Sequence, residues 1–225
     1  NCETDFVAKN EEFQNLGKLI AEKAFSAKPS DKDALLNLKA DNLTLNEKIV
    51  ELVGKIGEKI EVSEYVHMKG EAVIPYIHAG SKLGVLVSLK GVNGKDVTEA
   101  GKDVGMQIAA MNPVAVDEKS VDRTIIDKEL EIAKAQIIAE GKPENMIAKI
   151  VEGQINKFQK DVVLIKQPFV MNPDVTIEQL VADTGKELGA PGLHLAGFVR
   201  LALGEGVEKV EGPDFAAEVA SMTGG

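Results

Sequence analysis

An acidic side chain stands directly beside an aromatic one near the start of the chain, at Asp5 and Phe6. Both lie in segment 1–10, a short connector that precedes a predicted helix. One interpretation is an Asx-type turn at Asp5, with Phe6 packed into the core. The other is an exposed aromatic anchor, the kind of side chain that dominates an interface when it fills a pocket of a partner. The residues alone leave both interpretations open.

Motifs for nucleotide, metal and nucleophilic chemistry are missing from the sequence. Gly94-Lys95 lacks the upstream glycine and the following Ser or Thr of a phosphate-binding loop. Gly204-x-Gly206 lacks the third glycine of a dinucleotide-binding motif. There is no HExxH or GxSxG motif and no His/Cys cluster, and Cys2 is the single cysteine. We therefore predict no catalytic residues, no cofactor and no metal site, and a protein that is not an enzyme.

The excess of acidic over basic residues bears on whether the protein binds nucleic acid. The 225 residues carry 26 Lys and Arg against 36 Asp and Glu, a formal net charge of -10. Direct binding of nucleic acid is disfavoured, because such binders attract phosphate through basic surface. The sequence contains no run of about 18 apolar residues, so it predicts no membrane-spanning helix. Because the chain begins with Asn1 rather than Met, we expect that an N-terminal piece of the natural protein is missing.

Local signals predict two helices in the first 58 residues. The chain opens on what resembles the end of a strand, and a first helix follows over 10–27 with Asn10 as its cap. A second helix begins after Thr44-x-x-Glu47, which is a capping-box pattern, and it ends at Gly57.

A change of pattern after residue 58 predicts a sheet. Stretches rich in Val, Ile and Tyr are separated by turn residues, which indicates three antiparallel strands at about 60–67, 72–78 and 83–90. Helical spacing returns over 97–111. Strands followed by a helix indicate the α+β class.

The second half of the chain contains an unusual helical segment at 121–160. Two narrow apolar stripes flank a Gly-Lys-Pro turn at 141–143, which predicts an antiparallel helical hairpin. A helix over 176–188 and a strand over 196–203 follow, and 214–220 resembles the start of a C-terminal helix.

The predicted architecture is α+β, with two subdomains of small antiparallel sheets flanked by helices and with the hairpin as an insertion. The first subdomain is 1–58, and the second combines 59–116 with 161–212. The inserted hairpin is 117–160, and 213–225 begins a C-terminal helix.

Six consecutive residues of the connector, Thr-Asp-Phe-Val-Ala-Lys at 4–9, match the signature of the elongation factor Ts family without a substitution. Further blocks agree in order, at 55–58, 76–78, 82–87, 167–170, 204–209 and 214–218. The chain therefore resembles the core and C-terminal part of that family, without the small N-terminal helical domain that its members carry. One departure is 189–194, a longer connector whose role the sequence leaves open.

The resemblance implies a guanine-nucleotide exchange factor that binds the GTPase elongation factor Tu and promotes release of its GDP. Phe6 is implied to wedge between helices of the nucleotide domain, while Asp5 helps to disturb the Mg²⁺ site. Thr4 and Val7 would set the shape of the connector. The resemblance also implies no cofactor, no direct contact with nucleic acid or membrane, and self-association or partner contact through the hairpin. The alternative is an α+β scaffold or binding protein without exchange activity.

Three further residues are implied as partner contacts: Ile56, Gly57 and His78. A glycine that ends a helix needs no function to explain it, and the alternative for His78 is a histidine satisfied within the core. The implied location is the bacterial cytoplasm, or the matrix of a mitochondrion or plastid.

Overall fold

The computed structural model describes residues 1–78, 80–140 and 144–205. It confirms the α+β class, with helices beside small antiparallel sheets. The chain divides into two units, one formed by Asn1–His67 with the described part of Leu203–Gly225, and the other by Met68–Ala202. The predicted turn at 141–143 and the predicted C-terminal helix at 214–220 lie outside the described residues.

Among its described residues, the first unit contains four helices and a short β-hairpin. Its elements are α1 (Asp5–Ala8), α2 (Glu11–Ala27), α3 (Lys32–Leu36), β1 (Lys39–Ala40), β2 (Leu43–Thr44) and α4 (Leu45–Ile56). The Oδ1 atom of Asn10 accepts hydrogen bonds from the N–H groups of Glu12 and Phe13, at 2.8 and 3.3 Å, and so begins α2. Thr44 and Glu47 form the predicted capping box, with N···O distances of 3.1 and 2.7 Å. Both helix predictions are confirmed.

Two strand predictions for the first unit are wrong, because neither the chain opening nor 60–67 forms a strand. The backbones of Asn1 and Glu61 exchange two hydrogen bonds, of 2.7 and 3.1 Å. A strand requires a ladder of such pairs. Within the residues that the structure describes, no ladder continues from this pair, so the stretch rich in Val and Tyr runs as irregular backbone.

The second unit is built around a three-stranded antiparallel sheet. Its elements are β3 (Ala72–Ile77), β4 (Leu83–Lys90), α5 (Thr98–Met111), α6 (Arg123–Ala139), α7 (Glu144–Val162), β5 (Pro168–Phe169), β6 (Asn172–Thr176), α8 (Ile177–Glu187) and β7 (His194–Ala202). The strand order is β3-β4-β7, and Val87 of the central strand pairs with Ile74 on one side and Phe198 on the other. The third strand is therefore β7 and not 60–67. The other strands and the helices predicted at 97–111 and 176–188 are confirmed.

Apolar side chains from the sheet and from helices α5 and α8 form the main core of this unit. Its most deeply buried members include Val87, Leu89, Val104, Ile108, Leu164 and Ile177. Helix α5 approaches β3 closely, because a Cβ at Gly105 would lie 2.6 Å from Cβ of Tyr76. Gln107 is also buried: its Nε2 donates to Oε1 of Gln167 at 3.1 Å, and its Oε1 accepts from the N–H of Val170 at 2.8 Å. This amide links α5 to the segment that carries β5.

The predicted hairpin is observed as α6 and α7, which pack against each other. Its buried side chains include Ala133, Ile137 and Val151. In the described ranges of the chain, no helix is long and apolar enough to cross a membrane.

The connector 189–194 has a packing role. Ala190 and Leu193 are buried, and the connector backbone at Gly192 lies against Gly91, where a Cβ would collide with the carbonyl group. Gly91 has φ of +71°, a conformation that glycine adopts without strain. The connector therefore packs against the chain just after β4, and it contributes Leu193 to the core of the second unit.

Candidate partner-binding site

The signature segment folds into the single-turn helix α1, and Thr4 is the residue that caps it. Thr4 has extended backbone angles, and its Oγ1 accepts a hydrogen bond from the N–H of Val7 at 3.3 Å. Asp5 occupies the first helical turn, where a negative charge is favourable. The side chain that caps this turn is therefore that of Thr4, and Asp5 is the first residue of the helix.

Two adjacent residues of α1 have opposite environments. Val7 is only 6% exposed and packs with Leu16, Ile49 and other buried residues of the first unit. Phe6 is 89% exposed. Successive helical residues point about 100° apart, so anchoring Val7 in the core directs Phe6 to solvent. Phe6 is therefore an exposed aromatic residue, and the interpretation that it packs into the core is wrong.

A carboxylate that sequence reasoning did not single out holds the start of this helix. Glu58 accepts two hydrogen bonds from Thr4, from the backbone N–H at 3.1 Å and from the hydroxyl at 2.8 Å. Gly57 has φ of +82° at the end of α4, and it turns the chain so that Glu58 reaches Thr4. Glu58 lies in the matched block 55–58, but no local pattern indicates a contact that spans 54 residues.

Ile56 and Gly57 belong to the same unit as α1. Ile56 is half-buried and packs against the cluster that contains Val7. The structure therefore brings this pair together with the signature segment, through the shared cluster and through the neighbouring Glu58.

His78 belongs to the second unit and follows the last residue of β3. Its ring is exposed, and Nδ1 lies 3.1 Å from the hydroxyl of Tyr76. Its backbone N–H donates to the carbonyl of Leu83 at 2.9 Å, which closes the turn between β3 and β4. A histidine satisfied within the core is thus excluded.

Cys2 precedes the signature and is half-buried. Burial raises the pKa of its thiol, and the negative charges of Glu58 and Asp5 raise it further. A thiol with a raised pKa is a poor nucleophile at neutral pH. Among the described residues, no group of three or more His, Cys, Asp or Glu side chains is placed to hold a metal ion. The described geometry presents an exposed aromatic side chain, that of Phe6, on a helix turn whose neighbouring residue Val7 is buried.

Comparison with known proteins gives one consistent result. The profile of the family described as Elongation factor TS matches residues 3–205. Elongation factor Ts of Amoebophilus asiaticus is 47% identical over 203 residues, which cover 90% of this chain and 72% of the relative. Elongation factor Ts of Cytophaga hutchinsonii is 47% identical over 203 residues, covering 90% of this chain and 71% of the relative. The protein of the same name from Caulobacter sp. is 42% identical over 236 residues, covering 100% and 74%.

Proposed function

This chain belongs to the elongation factor Ts family of translation elongation factors, and from that premise we propose that it promotes release of GDP from the GTPase elongation factor Tu. The observation that carries the proposal is the exposure of Phe6, 89%, on a helix turn anchored by the buried Val7. An aromatic side chain presented in this way can fill a pocket of a partner at little cost in conformational entropy.

The proposed mechanism is a competition between two states of the GTPase. Backbone amides and Mg²⁺ hold the diphosphate of bound GDP. An exchange factor accelerates release when it binds a loosened state of that site better than the closed one. Phe6 would insert between helices of the nucleotide domain, and Asp5 would disturb the Mg²⁺ site. Thr4 and Val7 would hold both in place, and no covalent bond changes.

Further contacts are proposed for Ile56, Gly57 and His78. The accessible ring of His78 supports a contact by the second unit. Ile56 packs against the apolar cluster that contains Val7 of α1, and Gly57 is exposed at the end of α4. Self-association through the hairpin of α6 and α7 is a separate proposal.

The test is the rate at which fluorescently labelled GDP leaves elongation factor Tu in a stopped-flow instrument. Adding this chain should accelerate the loss in a saturable way, in the presence of excess unlabelled nucleotide. Stable binding of the GTPase without any acceleration would instead identify a passive binding protein.

A further inference from the structure

The carboxylate of Glu58 and the residue that caps α1 form a two-point contact between distant parts of the first unit. Both oxygens of Glu58 are used: Oε2 accepts from the backbone N–H of Thr4 at 3.1 Å, and Oε1 accepts from its hydroxyl at 2.8 Å. Hydrogen bonds to an ionised acceptor are stronger than neutral ones, and a pair of them also fixes orientation.

The hydroxyl of Thr4 takes part in two hydrogen bonds at once. It donates to Glu58, and it accepts from the N–H of Val7 at 3.3 Å. The hydroxyl hydrogen points to the carboxylate, which leaves the oxygen lone pairs for the helix. Glu58 therefore selects the side-chain orientation in which Thr4 caps α1.

A four-residue helix has almost no stability of its own, because nucleation costs more than one turn of hydrogen bonds returns. The contacts that hold α1 include burial of Val7 on one side, the hydrogen bond of 3.2 Å from Nε2 of Gln14 to the carbonyl of Ala8, and the Thr4–Glu58 pair at the start of the helix.

We propose that Glu58 is a positioning residue, which keeps α1 folded in the free protein so that Phe6 is presented in its binding conformation. The proposal rests on the exchange function proposed above. A partner that binds only the folded turn loses apparent affinity in proportion to the time the turn spends unfolded. Glu58 thus acts through Thr4 without contact with the partner.

The first measurement is amide hydrogen exchange of the free chain by NMR, for the Glu58→Gln variant. A side-chain amide keeps the shape of Glu58 but presents one acceptor oxygen where the carboxylate presents two. Exchange at the amides of Val7 and Ala8, which bond to the hydroxyl and carbonyl oxygens of Thr4, should become about tenfold faster. Glu61→Gln is the matched control, since Glu61 lies three residues away and pairs with Lys59. It should leave both amides unchanged.

The second measurement is GDP release at increasing concentrations of the Glu58→Gln variant. The half-saturating concentration should rise while the maximal rate stays the same, because positioning changes the population of the competent turn and not its contacts. In a Phe6→Ala background the same change should have a smaller effect, because only Asp5 of the two presented side chains remains on the turn.

The two assays separate the two ideas. Unchanged amide exchange at Val7 and Ala8 in Glu58→Gln would overturn the positioning role without any reference to the GTPase. Faster amide exchange with an unaltered half-saturating concentration would overturn it as well. Failure of the unaltered chain to accelerate GDP release would instead refute the exchange function itself.

Discussion

At the scale of single residues, one side chain of the signature segment anchors it to the core and a different side chain is exposed to solvent. Val7 is buried among apolar side chains, whereas Phe6 beside it is exposed, and Thr4 caps the turn that carries both. Because the side chain of Phe6 is exposed, it contributes little to the stability of the fold and is accessible to a partner.

Phe6→Ala should reduce GDP release from elongation factor Tu at subsaturating concentrations. A loss of roughly 2 kcal/mol or more, about thirtyfold in rate, is expected of an anchor that fills a pocket. The thermal unfolding midpoint should stay unchanged, because Phe6 is 89% exposed. Phe25→Ala is the matched control, since Phe25 is 79% exposed at the far end of α2. Equal losses in both variants would contradict an anchoring role that is specific to Phe6.

Asp5→Asn should slow GDP release about tenfold when Mg²⁺ is present at millimolar concentration. The proposed role of Asp5 is to weaken the hold of Mg²⁺ on GDP, so the defect should shrink when the metal is chelated with EDTA. Release rates for the variant and the unaltered chain, measured with Mg²⁺ and with EDTA, give the comparison. A defect of the same size in EDTA would assign Asp5 to shaping the helix turn alone.

At the scale of elements, the close packing of α5 on the sheet depends on a glycine, Gly105, which has no side-chain atoms at the contact. Gly105 of α5 faces Tyr76 of β3 so closely that a Cβ would lie 2.6 Å from Cβ and 3.0 Å from Cγ of the tyrosine. These atoms are next to the β3 backbone, so they cannot move aside as the end of a flexible side chain would.

Gly105→Ala should destabilise the protein by about 1–3 kcal/mol, because overpacking outweighs the better helix propensity of alanine. Gly153→Ala on α7 is the matched control, since no atom of the described chain lies within 4 Å of the added Cβ apart from its own helix backbone and chain neighbours. That variant should gain about 0.5–1 kcal/mol. Denaturant unfolding of the two variants measures both changes, and stabilisation by Gly105→Ala would contradict the close packing.

The buried Gln107 makes α5 dependent on a polar contact as well. Gln107→Leu should destabilise the protein by about 3 kcal/mol or more, because it leaves the N–H of Val170 and the carbonyl of Pro168 without their buried partner. The same substitution at the exposed Gln136 of α6 should stay within about 0.5 kcal/mol. Equal unfolding free energies for the two variants would show that the buried amide is dispensable.

At the scale of the whole molecule, the structure consists of two units, each with its own apolar cluster. The candidate contacts divide between them, with α1, Ile56 and Gly57 in the first unit and His78 in the second. The four-part division made from the sequence, with its inserted hairpin, stays a prediction.

Exchange activity requires that GDP and this chain weaken the binding of each other to the GTPase. If the chain lowers the affinity of elongation factor Tu for GDP by some factor, GDP must lower the affinity for the chain by the same factor. Calorimetry should therefore give a dissociation constant that is about tenfold or more weaker at saturating GDP with Mg²⁺ than without nucleotide. The chain alone should bind neither GDP nor GTP.

Equal dissociation constants in the two conditions would mean that no coupling free energy exists. The exchange function would then fail, although membership of the family would stand. The control is the nucleotide-free GTPase incubated in buffer alone for the same time, which shows whether the GTPase unfolds during the measurement.

The sequence by itself determined the features that depend on neighbours along the chain. Asn10 and the Thr44–Glu47 pair begin their helices with hydrogen bonds that span two or three residues, so their spacing in the sequence is enough to predict them. Family membership was also accessible, because ordered blocks of identical residues need no coordinates to be recognised. The hairpin of α6 and α7 followed from two apolar stripes on either side of a Gly-Lys-Pro turn.

Only the tertiary structure decided the features that depend on contacts between distant residues. The third strand of the sheet is β7 and not 60–67, because a strand exists only where a neighbour completes its ladder of hydrogen bonds. The exposure of Phe6 follows from the burial of Val7 among residues of α2 and α4. Glu58 meets Thr4 across 54 residues, a contact that no local period encodes, since it exists only after the chain has closed on itself.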